Sequence, residues 1–581
     1  MAFLRSWPTV VVRPPAPKWV DLAMLCLLVT IGYVVMHAGV GWGTPIASNV
    51  HVGTSPWNLP WYAALSTLRM AVAYVLSLAF SVAYARAAAN SRVAERFLIP
   101  LLDILQSVPI LSFMPGVVLG LAALFRGRVI GLELAAVLLI FTSQAWNLAF
   151  GFHQALHSIP TELSEASTVY RLGRWRRFTR LELPSGVISL VANSMMSWAG
   201  GWFFLMASEQ FTLGKDSYRL PGLGSYLAAA AERGDVLALC LGLLMLVFVI
   251  VLLDQLLWRP LVAWSDRFKL EQAGGQAASS SRVLDALRDS ELMAWIGDRV
   301  LRPMTRRLDR RLSPPPTPLG APIVPEAPRR GSALGAALRT GAALLLLGAV
   351  AWGALASARA LATLDAATWG RILLASAATL TRTTVALLIG AAWTIPLGVR
   401  IGLDPVWSRR LQPVVQIVAS IPATALFPAL LLALLALPGG LNIAAVALML
   451  LGTQWYVLFN VIAGAMSIPS DLKEVAVTYR ITGWRRWKTL ILPAIFPYVV
   501  TGMITATGGA WNASIVAEYV TFGGQKRATV GLGAVIASAA DHREFATLLA
   551  ATFVMAAIVI TINRLVWRRL YALAESRYRL A

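Results

Sequence analysis

The chain has 581 residues, of which 57% are hydrophobic and only 13% are charged, and its formal net charge is +22. Because a soluble globular chain carries about 25% charged residues, this composition excludes a soluble enzyme or a soluble binding module. The positive charge does not indicate nucleic-acid binding. The basic residues cluster between apolar segments, as they do on the inner side of membrane proteins.

Apolar stretches long enough to cross a bilayer recur along the whole chain. A helix of about 20 apolar residues crosses a hydrocarbon core of ~30 Å. Each half of the chain has six such stretches, which predicts an all-α polytopic membrane protein with about 12 transmembrane helices. In the first half they lie at 19–40, 62–88, 98–124, 130–152, 185–209 and 236–258. In the second half they lie at 336–358, 371–402, 411–437, 441–463, 494–516 and 545–565. No small-residue cleavage site follows the first stretch, so we expect a helix of the mature protein and not a signal peptide.

The distribution of lysine and arginine orients these spans. Residues 41–67 contain neither, which predicts an external connection, whereas three arginines within 86–96 mark the next connection as internal. This alternation places both termini in the cytoplasm. Arg126, Arg128 and the mixed stretch 214–235 fit less well, because they fall where external connections are expected.

A polar, basic segment between apolar stretches occurs twice, 309 residues apart. The sequence Glu-Ala-Ser-Thr-Val-Tyr-Arg at 165–171 leads to Leu-Pro at 183–184, and Glu-Val-Ala-Val-Thr-Tyr-Arg at 474–480 leads to Leu-Pro at 492–493. Both copies also carry Trp-Arg-Arg at one shared offset. Identical residues at identical spacing in the two copies indicate duplication. They also favour a surface that another protein binds through these particular positions. The alternative is a loop whose arginines only anchor it to lipid headgroups, which requires charge but not register.

The repeat extends well beyond these loops. Upstream, Arg69 and the Ser-Val-Pro of 107–109 recur 313 residues later as Arg382 and the Ser-Ile-Pro of 420–422. Downstream the offset is again 309, and the matched positions are Trp202 with Trp511, Glu209 with Glu518, and 222–224 with 531–533. So many matches in one order indicate a duplicated chain.

The duplication divides the chain into two parallel halves and a cytoplasmic linker. We predict a first half at 1–263, with its loop at 158–184. The second half is 335–581, with its loop at 467–493, and the linker is 264–334.

The linker has three parts. Residues 272–281 are rich in Gly, Ala, Ser and Gln, a flexible composition, and 314–328 are proline-rich. Between them, the apolar residues of 281–312 fall on one helix face surrounded by arginines. This pattern predicts an amphipathic helix on the anionic inner leaflet, with docking on a partner as the alternative.

Each loop resembles the EAA motif of ABC importer permeases, in which a glycine follows Glu-Ala-Ala and Ile-x-Leu-Pro ends the motif. The matching positions are Glu165, Ala166 and Leu181-x-Leu183-Pro184 in the first copy, and Glu474, Ala476 and Leu490-x-Leu492-Pro493 in the second. Both copies depart at the motif glycine, which is Arg171 and Arg480 here, while Gly173 and Gly483 lie nearby at unaligned positions. The wider pattern is most similar to the duplicated, fused permeases of the nitrate/sulfonate/taurine branch.

The resemblance implies two tandem six-helix domains of the type I ABC importer permease (MetI-like) fold in a bacterial inner membrane. Each loop would supply a coupling helix to one of two copies of a cytoplasmic ABC ATPase. A periplasmic solute-binding protein would deliver a small anion. ATP and Mg would be held by the ATPase, so this chain would bind no cofactor and would not be an enzyme. The coupling residues implied are Glu165, Ala166, Tyr170, Arg171, Gly173, Pro184, Glu474, Ala476, Tyr479, Arg480, Gly483 and Pro493.

The sequence contains no phosphate-binding loop of its own. Residues 213–216, Leu-Gly-Lys-Asp, come nearest but lack the first glycine and the hydroxyl of that motif. ATP must therefore be hydrolysed by another polypeptide. An ion-coupled secondary transporter with a six-plus-six parallel repeat is the alternative, and it would require buried ionisable groups but no matched internal loop.

Candidates for the solute path lie in the fifth spans and in the proline-interrupted third spans. Trp202 and Glu209 lie seven residues apart, on one helix face, as their counterparts do. A carboxylate near a membrane span is costly, so these glutamates contact the solute, pair with a cation, shape a gate or contact the binding protein. The candidates are Pro109, Gln144, Trp202, Glu209, Pro422, Trp511, Asn512 and Glu518, with Gln106, Ser107 and Asn193 as further neutral polar positions.

Neither the cysteines nor the histidines predict a site. Cys26 and Cys240 lie in separate apolar runs and are expected to be packing residues. His153 and His157 have the spacing of a metal-binding helix but lack the glutamate of a zincin motif, so we expect no metal.

Overall fold

The computed structural model describes residues 18–46, 52–213, 216–268, 281–312, 333–522 and 525–577. The predicted proline-rich stretch 314–328 and residues 272–280 of the Gly/Ala/Ser/Gln-rich stretch lie outside them.

Up to residue 268 the described chain is helical apart from one hairpin. Its helices are α1 (Lys18–Gly41), α2 (Leu59–Ala89), α3 (Arg92–Ser107), α4 (Met114–Leu124), α5 (Val129–His157), α6 (Thr161–Val169), α7 (Arg174–Arg177), α8 (Leu183–Ser208), α9 (Leu223–Arg233), α10 (Val236–Leu253) and α11 (Arg259–Ser265). The linker contributes α12 (Arg282–Asp289), α13 (Glu291–Ile296) and α14 (Arg302–Leu312).

The remaining helices repeat the same order. They are α15 (Ala333–Ala362), α16 (Ala366–Leu403), α17 (Pro405–Ser420), α18 (Ala423–Leu434), α19 (Gly440–Met466), α20 (Ser470–Thr478), α21 (Gly483–Arg486), α22 (Leu492–Ala517), α23 (Leu532–Asp541), α24 (Phe545–Ile562) and α25 (Arg568–Arg577). Five-residue π-helical turns repeat as well, at Phe178–Glu182 and Asp254–Trp258 and again at Trp487–Ile491 and Asn563–Trp567.

Eight helical segments of the described chain are long and apolar enough to cross a membrane, and a bent pair makes a ninth. These segments cover most of the predicted spans, since an apolar run of about 20 residues satisfies its backbone hydrogen bonds only as a helix. The predicted spans 98–124, 185–209 and 336–358 are also helical, as α3 with α4, α8 and α15, but they are not among the eight.

The third predicted span of each half is broken at its prolines, as the sequence predicted. Helix α3 ends at Ser107, and Pro109 begins a 3-10 turn before α4. In the second half, Pro422 caps α18, and the axes on either side differ by 75°. Proline has no N–H and fixes its own φ, so it cannot donate a helical hydrogen bond. The helix is therefore interrupted at the same position in both halves.

Two short antiparallel hairpins were not predicted. Strand β1 (Gln210–Leu213) pairs with β2 (Asp216–Arg219), and β3 (Tyr519–Phe522) pairs with β4 (Gln525–Ala528). Each hairpin directly follows the fifth long helix of its half and precedes a Gly-Leu-Gly sequence. The hairpins therefore return the chain toward the end of the helix it has just left.

The contacts of the described residues divide into two units. One comprises described residues of Met1–Val29, Phe152–Val191 and Arg259–Asp365, and the other comprises those of Thr30–Gly151, Ala192–Trp258 and Ala366–Ala581. The core of the second unit is rich in alanine and glycine. An added Cβ at Gly502, for example, would lie 3.0 Å from the backbone of Tyr456. Small residues of this kind let membrane helices approach closely.

Candidate functional site

The first basic loop is a short helix with a tight turn at its end. After α6, the N–H of Leu172 donates to the carbonyl oxygen of Ser167 at 3.0 Å, and the N–H of Arg171 donates to that of Thr168 at 3.0 Å. These two bonds form a Schellman cap, which places the residue after the helix in the left-handed region. Arg171 accordingly has a φ of +48°.

The second loop repeats this cap position by position. The N–H of Ile481 donates to the carbonyl oxygen of Ala476 at 2.8 Å, that of Arg480 donates to Val477 at 3.0 Å, and Arg480 has a φ of +50°. Arg171 and Arg480 stand where the motif has glycine. The loops therefore keep the left-handed backbone that glycine favours, with arginine in its place. The nearby glycines differ, since Gly483 has a φ of +56° and Gly173 a φ of −59°.

Replacing Arg480 by glycine should stabilise the chain. A side chain in the left-handed region costs about 1–2 kcal/mol, of which glycine's greater freedom in the unfolded chain offsets part, so we expect a gain of about 0.5–1 kcal/mol. Thermal unfolding of the purified protein measures it. Arg480→Ala is the matched control, because alanine removes the guanidinium but keeps the strain. An equal gain for both variants would place the cost in the guanidinium and not in the backbone.

The outer faces of the two short helices carry exposed, chemically specific side chains. Tyr170 and Tyr479 are 74% and 75% exposed, and Glu165 and Glu474 are also exposed. Within the part of the chain that the structure describes, neither carboxylate has a hydrogen bond or ion pair. Ala166 is half-buried and Ala476 is buried. An exposed tyrosine and an unpaired carboxylate on one short loop offer contact area and charge to a protein partner.

Each loop returns to a long helix through a π-helical turn. The N–H of Leu183 donates to the carbonyl oxygen of Phe178, five residues earlier, and that of Leu492 donates to Trp487 in the same way. Pro184 and Pro493 follow directly and cannot donate. In both copies, therefore, the π-helical turn ends directly before a proline that has no N–H to donate.

The carboxylates of the fifth spans lie in buried ion-pair clusters, which we call clamp 1 and clamp 2. In clamp 1, Glu209 is 1% exposed, and its Oε1 accepts from Arg69 Nη1 at 2.8 Å and from Ser66 Oγ at 2.5 Å. Its Oε2 accepts from the N–H of Gly224 at 2.7 Å. The carboxylate therefore caps the positive N-terminus of α9. Gly222 has no side chain, which leaves room for it, because a Cβ there would collide with Glu209.

Clamp 2 is the equivalent cluster in the second half. Glu518 is fully buried, and its Oε1 accepts from Arg382 Nη1 and from Thr379 Oγ1, both at 2.8 Å. Its Oε2 accepts from the N–H of Gly533 at 2.9 Å, at the start of α23. Of the roles that the sequence left open for these glutamates, the geometry matches pairing with a cation.

The two clamps differ at one position. In clamp 1, Arg69 also donates to Glu133, with Nε to Oε2 at 2.6 Å and Nη2 to Oε1 at 2.7 Å. The equivalent residue in clamp 2 is Asn442, whose Oδ1 accepts from Arg382 Nη2 at 2.8 Å. One arginine thus faces two carboxylates in clamp 1 and one in clamp 2. Ser66, Glu133, Thr379 and Asn442 were not predicted from the sequence, although the same offsets relate Ser66 to Thr379 and Glu133 to Asn442.

Most other path candidates lie in the second unit as buried packing or hydrogen-bonded residues. Trp202 and Trp511 are each 1% exposed. The amide of Gln144 is buried, with Nε2 3.3 Å from the sulfur of Met70. Asn512 Oδ1 accepts from the N–H of Leu111 at 3.3 Å. Gln106 and Asn193 are half-buried, Pro109 is at the break after α3, and the side chain of Ser107 lies outside the described atoms.

A cavity of about 450 Å³ brings two of these candidates together. It is lined by parts of α8, α17, α18, α19 and α22, and Pro422 and Asn512 both face it. Its other polar groups are Gln412, Gln416, Ser420 and Tyr456, and none of the described residues that line it is charged. A neutral cavity with several amide and hydroxyl groups can accept a small polar solute without binding it tightly.

A second cavity, of about 230 Å³, lies beside the hairpins. Its charged side chains are paired, Arg219 with Glu232 at 2.5 Å and Lys526 with Asp541. Tyr519 also donates to Asp541 Oδ2 at 2.8 Å, and burial together with this carboxylate raises the pKa of the Tyr519 phenol. Glu232 and Asp541 are equivalent positions of the repeat.

A duplicated helical membrane chain with two matched, exposed loops belongs to the class of non-catalytic transport permeases. The chain belongs to the family described as "Binding-protein-dependent transport system inner membrane component", whose sequence profile matches residues 76–257 and 394–580. The permease domain is therefore present twice in this multi-pass membrane protein. The family implies an ATPase and a binding protein as partners in general.

Several curated proteins are similar to part of the chain. The nitrate import permease protein NrtB of Leptolyngbya laminosa is 28% identical over 190 residues, 33% of this chain and 64% of that protein. The bicarbonate transport system permease protein CmpB of Synechococcus elongatus is 30% identical over 189 residues, 32% of this chain and 65% of that protein. The taurine transport system permease protein TauC of Escherichia coli is 26% identical over 187 residues, 32% of this chain and 64% of that protein.

Proposed function

We propose that this chain is the transmembrane permease subunit of an ATP-driven ABC importer, with both permease halves in one chain, and that it moves a small anion from the periplasm to the cytoplasm. Its two halves, 1–263 and 335–581, would each contribute six spans, and both termini would lie in the cytoplasm. Two copies of an ABC ATPase, which hold ATP and Mg, would bind the loops 158–184 and 467–493. A periplasmic binding protein would deliver the solute.

The observation that carries this proposal is the pair of matched, exposed loops. Each ends in the same cap, with arginine at a φ near +50°, and each presents an unpaired glutamate and an exposed tyrosine. A lipid anchor needs positive charge but not a strained, position-matched turn with an exposed carboxylate. A groove on an identical partner protein would require both copies to match.

The anion assignment rests on the cavity and on the similar proteins. Nitrate, bicarbonate and taurine permeases are all similar to this chain. Glu209 and Glu518 would repel an anion if they were free, but each is paired with an arginine. The cavity itself offers neutral amide and hydroxyl donors, which can solvate an anion weakly enough for it to leave again.

Gentle detergent extraction followed by pull-down and uptake assays tests the proposal. We expect an ATPase to co-purify and uptake to stop when ATP is depleted. A chain that purifies alone, with uptake that collapses on adding an uncoupler instead, would support an ion-coupled secondary transporter. The buried Arg69 with its two carboxylates is the observation that keeps this second candidate.

Replacing Asn512 by aspartate should impair anion uptake. A carboxylate in the neutral cavity would repel an anion by about 1–4 kcal/mol at 4 Å, so we expect at least about a fivefold fall in uptake. Asn460→Asp is the matched control. Asn512 Nδ2 donates to the carbonyl oxygen of Gly508 and Asn460 Nδ2 to that of Tyr456, four residues earlier in both cases, but Asn460 does not line the cavity. Equal loss in both variants would argue against this path.

A further inference from the structure

The linker helices are attached to the beginning of the first long apolar helix. Ser290 Oγ donates to Asp21 Oδ1 at 2.5 Å, and the N–H of Leu292 donates to the same oxygen at 3.2 Å. The membrane-crossing part of α1 begins at Val20, one residue before Asp21. The start of α13 is therefore held at the end of a membrane span, where lipid headgroups meet water.

The last linker helix is attached to the first loop. Trp175 Nε1 donates to Asp309 Oδ1 at 2.7 Å, which joins α14 to the Trp-Arg-Arg segment. Trp175 is half-buried, whereas its counterpart Trp484 is 74% exposed. The linker thus covers an indole in the first loop that is open in the second.

An apolar stripe is exposed on α14 and on the π-helical turn that precedes it, Gly297–Leu301. Its members are Val300, Leu301, Met304, Leu308 and Leu312, each between 45% and 58% exposed. Adjacent residues on a helix point about 100° apart, so the side of α14 that bonds Trp175 through Asp309 differs from the stripe. The contact with the first loop therefore leaves the stripe available to a partner.

The charges around this stripe identify the partner. Residues 298–312 contain six arginines against two aspartates, and one of those aspartates, Asp298, already pairs with Arg302. An apolar stripe flanked by arginines, held at the end of a membrane span, fits a surface that is apolar beneath and anionic above. We propose that α14 binds the acidic phospholipid surface of the membrane and transmits the presence of acidic lipid to the first loop through the Trp175–Asp309 bond.

The transmission step rests on the proposed function, because it treats the first loop as an ATPase-docking element. Acidic headgroups would hold α14 in place, and α14 holds Trp175. The first loop would then be positioned by lipid, whereas the second, with its exposed Trp484, would not. Acidic lipid should therefore affect transport through the first loop and not through the second.

Lipid binding is tested on the full chain alone, in nanodiscs with or without phosphatidylglycerol. A bimane label is attached at Leu308→Cys in a Cys26→Ser/Cys240→Ser background, since both native thiols are exposed. We expect brominated lipid to quench it when phosphatidylglycerol is present. Each of Arg307→Gln and Arg311→Gln, which flank the stripe, should weaken that lipid dependence about fivefold. A label at Arg310→Cys, on the opposite side of α14, is the control and should be quenched much less.

Equal quenching at both labels, or quenching that ignores phosphatidylglycerol, would overturn lipid binding. A label at Leu308→Cys that becomes shielded only when an ATPase is added would assign the stripe to a protein. Because the nanodisc experiment contains no ATPase, failure of the proposed function would leave its result unchanged.

Transmission is tested in proteoliposomes that contain the ATPase and the binding protein. The readout is the ratio of uptake with phosphatidylglycerol to uptake without it, which we expect to exceed one in the natural protein. Trp175→Phe removes the indole N–H donor but keeps an aromatic ring, and it should bring the ratio to one while quenching at residue 308 persists. Trp484→Phe, the matched control, should keep the ratio whatever its basal rate. An unchanged ratio in Trp175→Phe would overturn transmission.

Discussion

Replacing Glu165 and Glu474 together by alanine is expected to abolish ATP-driven uptake while the chain remains folded in the membrane. Both carboxylates are exposed and unpaired within the described residues, so their loss costs the isolated chain little. At a docked interface, removal of one buried charged partner costs about 2–5 kcal/mol, which lowers ATPase binding about 30-fold or more at each loop. Co-purification of the ATPase and uptake into vesicles measure the effect.

Glu162→Ala/Asp471→Ala is the matched control for this experiment. These two acidic residues occupy equivalent positions in the first turns of α6 and α20, so the control removes the same charge from the same helices. We expect only the loss of a favourable interaction with the helix dipole, about 0.3–1 kcal/mol. If both double variants abolish ATPase binding equally, the loops act through their overall charge and not through the register of Glu165 and Glu474.

Replacing Arg69 by methionine is expected to destabilise the protein more than the same replacement of Arg382. Removal of one partner from a buried ion pair costs about 3–5 kcal/mol, because the remaining charge is left unpaired. Arg69→Met would leave two carboxylates, Glu133 and Glu209, whereas Arg382→Met would leave Glu518 beside the neutral Asn442. Thermal unfolding in detergent, followed by size-exclusion chromatography, ranks the two variants.

A rescue variant separates this charge effect from lost packing. Glu133→Gln and Glu209→Gln, added to Arg69→Met, remove both unpaired charges and should restore much of the lost stability. Equal destabilisation by Arg69→Met and Arg382→Met, or no rescue, would show that shape and not charge balance dominates at clamp 1.

The spans, the duplication and the loops could be predicted because their signals are local. A run of about 20 apolar residues must be helical in lipid, and the repeat offsets are visible in the printed sequence. The proline breaks after Ser107 and Ser420 were predicted for the same reason, since the cause lies within one or two residues of the effect. The solute-path and coupling roles of the candidate residues remain predictions.

The clamps could not be derived from local pattern. Arg69 lies 64 residues from Glu133 and 140 from Glu209, so no local pattern pairs them. Arg69 and Arg382 were found as matched positions, but a match does not reveal a partner. The four-residue strands of the hairpins were missed because so short a segment carries no clear alternation.

The sequence by itself determined that this protein is a duplicated membrane permease with two basic loops, because hydrophobic runs and repeated motifs act over a few turns of helix. Only the tertiary structure decided which groups neutralise the buried glutamates, that Arg171 and Arg480 adopt a glycine-like backbone, and that the linker helix α14 contacts the first loop. The clamps and the linker contact depend on atoms brought close together by packing of segments far apart in the chain, and these hydrogen bonds and ion pairs have no signature at the level of neighbouring residues. The left-handed turns at Arg171 and Arg480 are local, but arginine at these positions gives no sequence signal for a backbone that favours glycine.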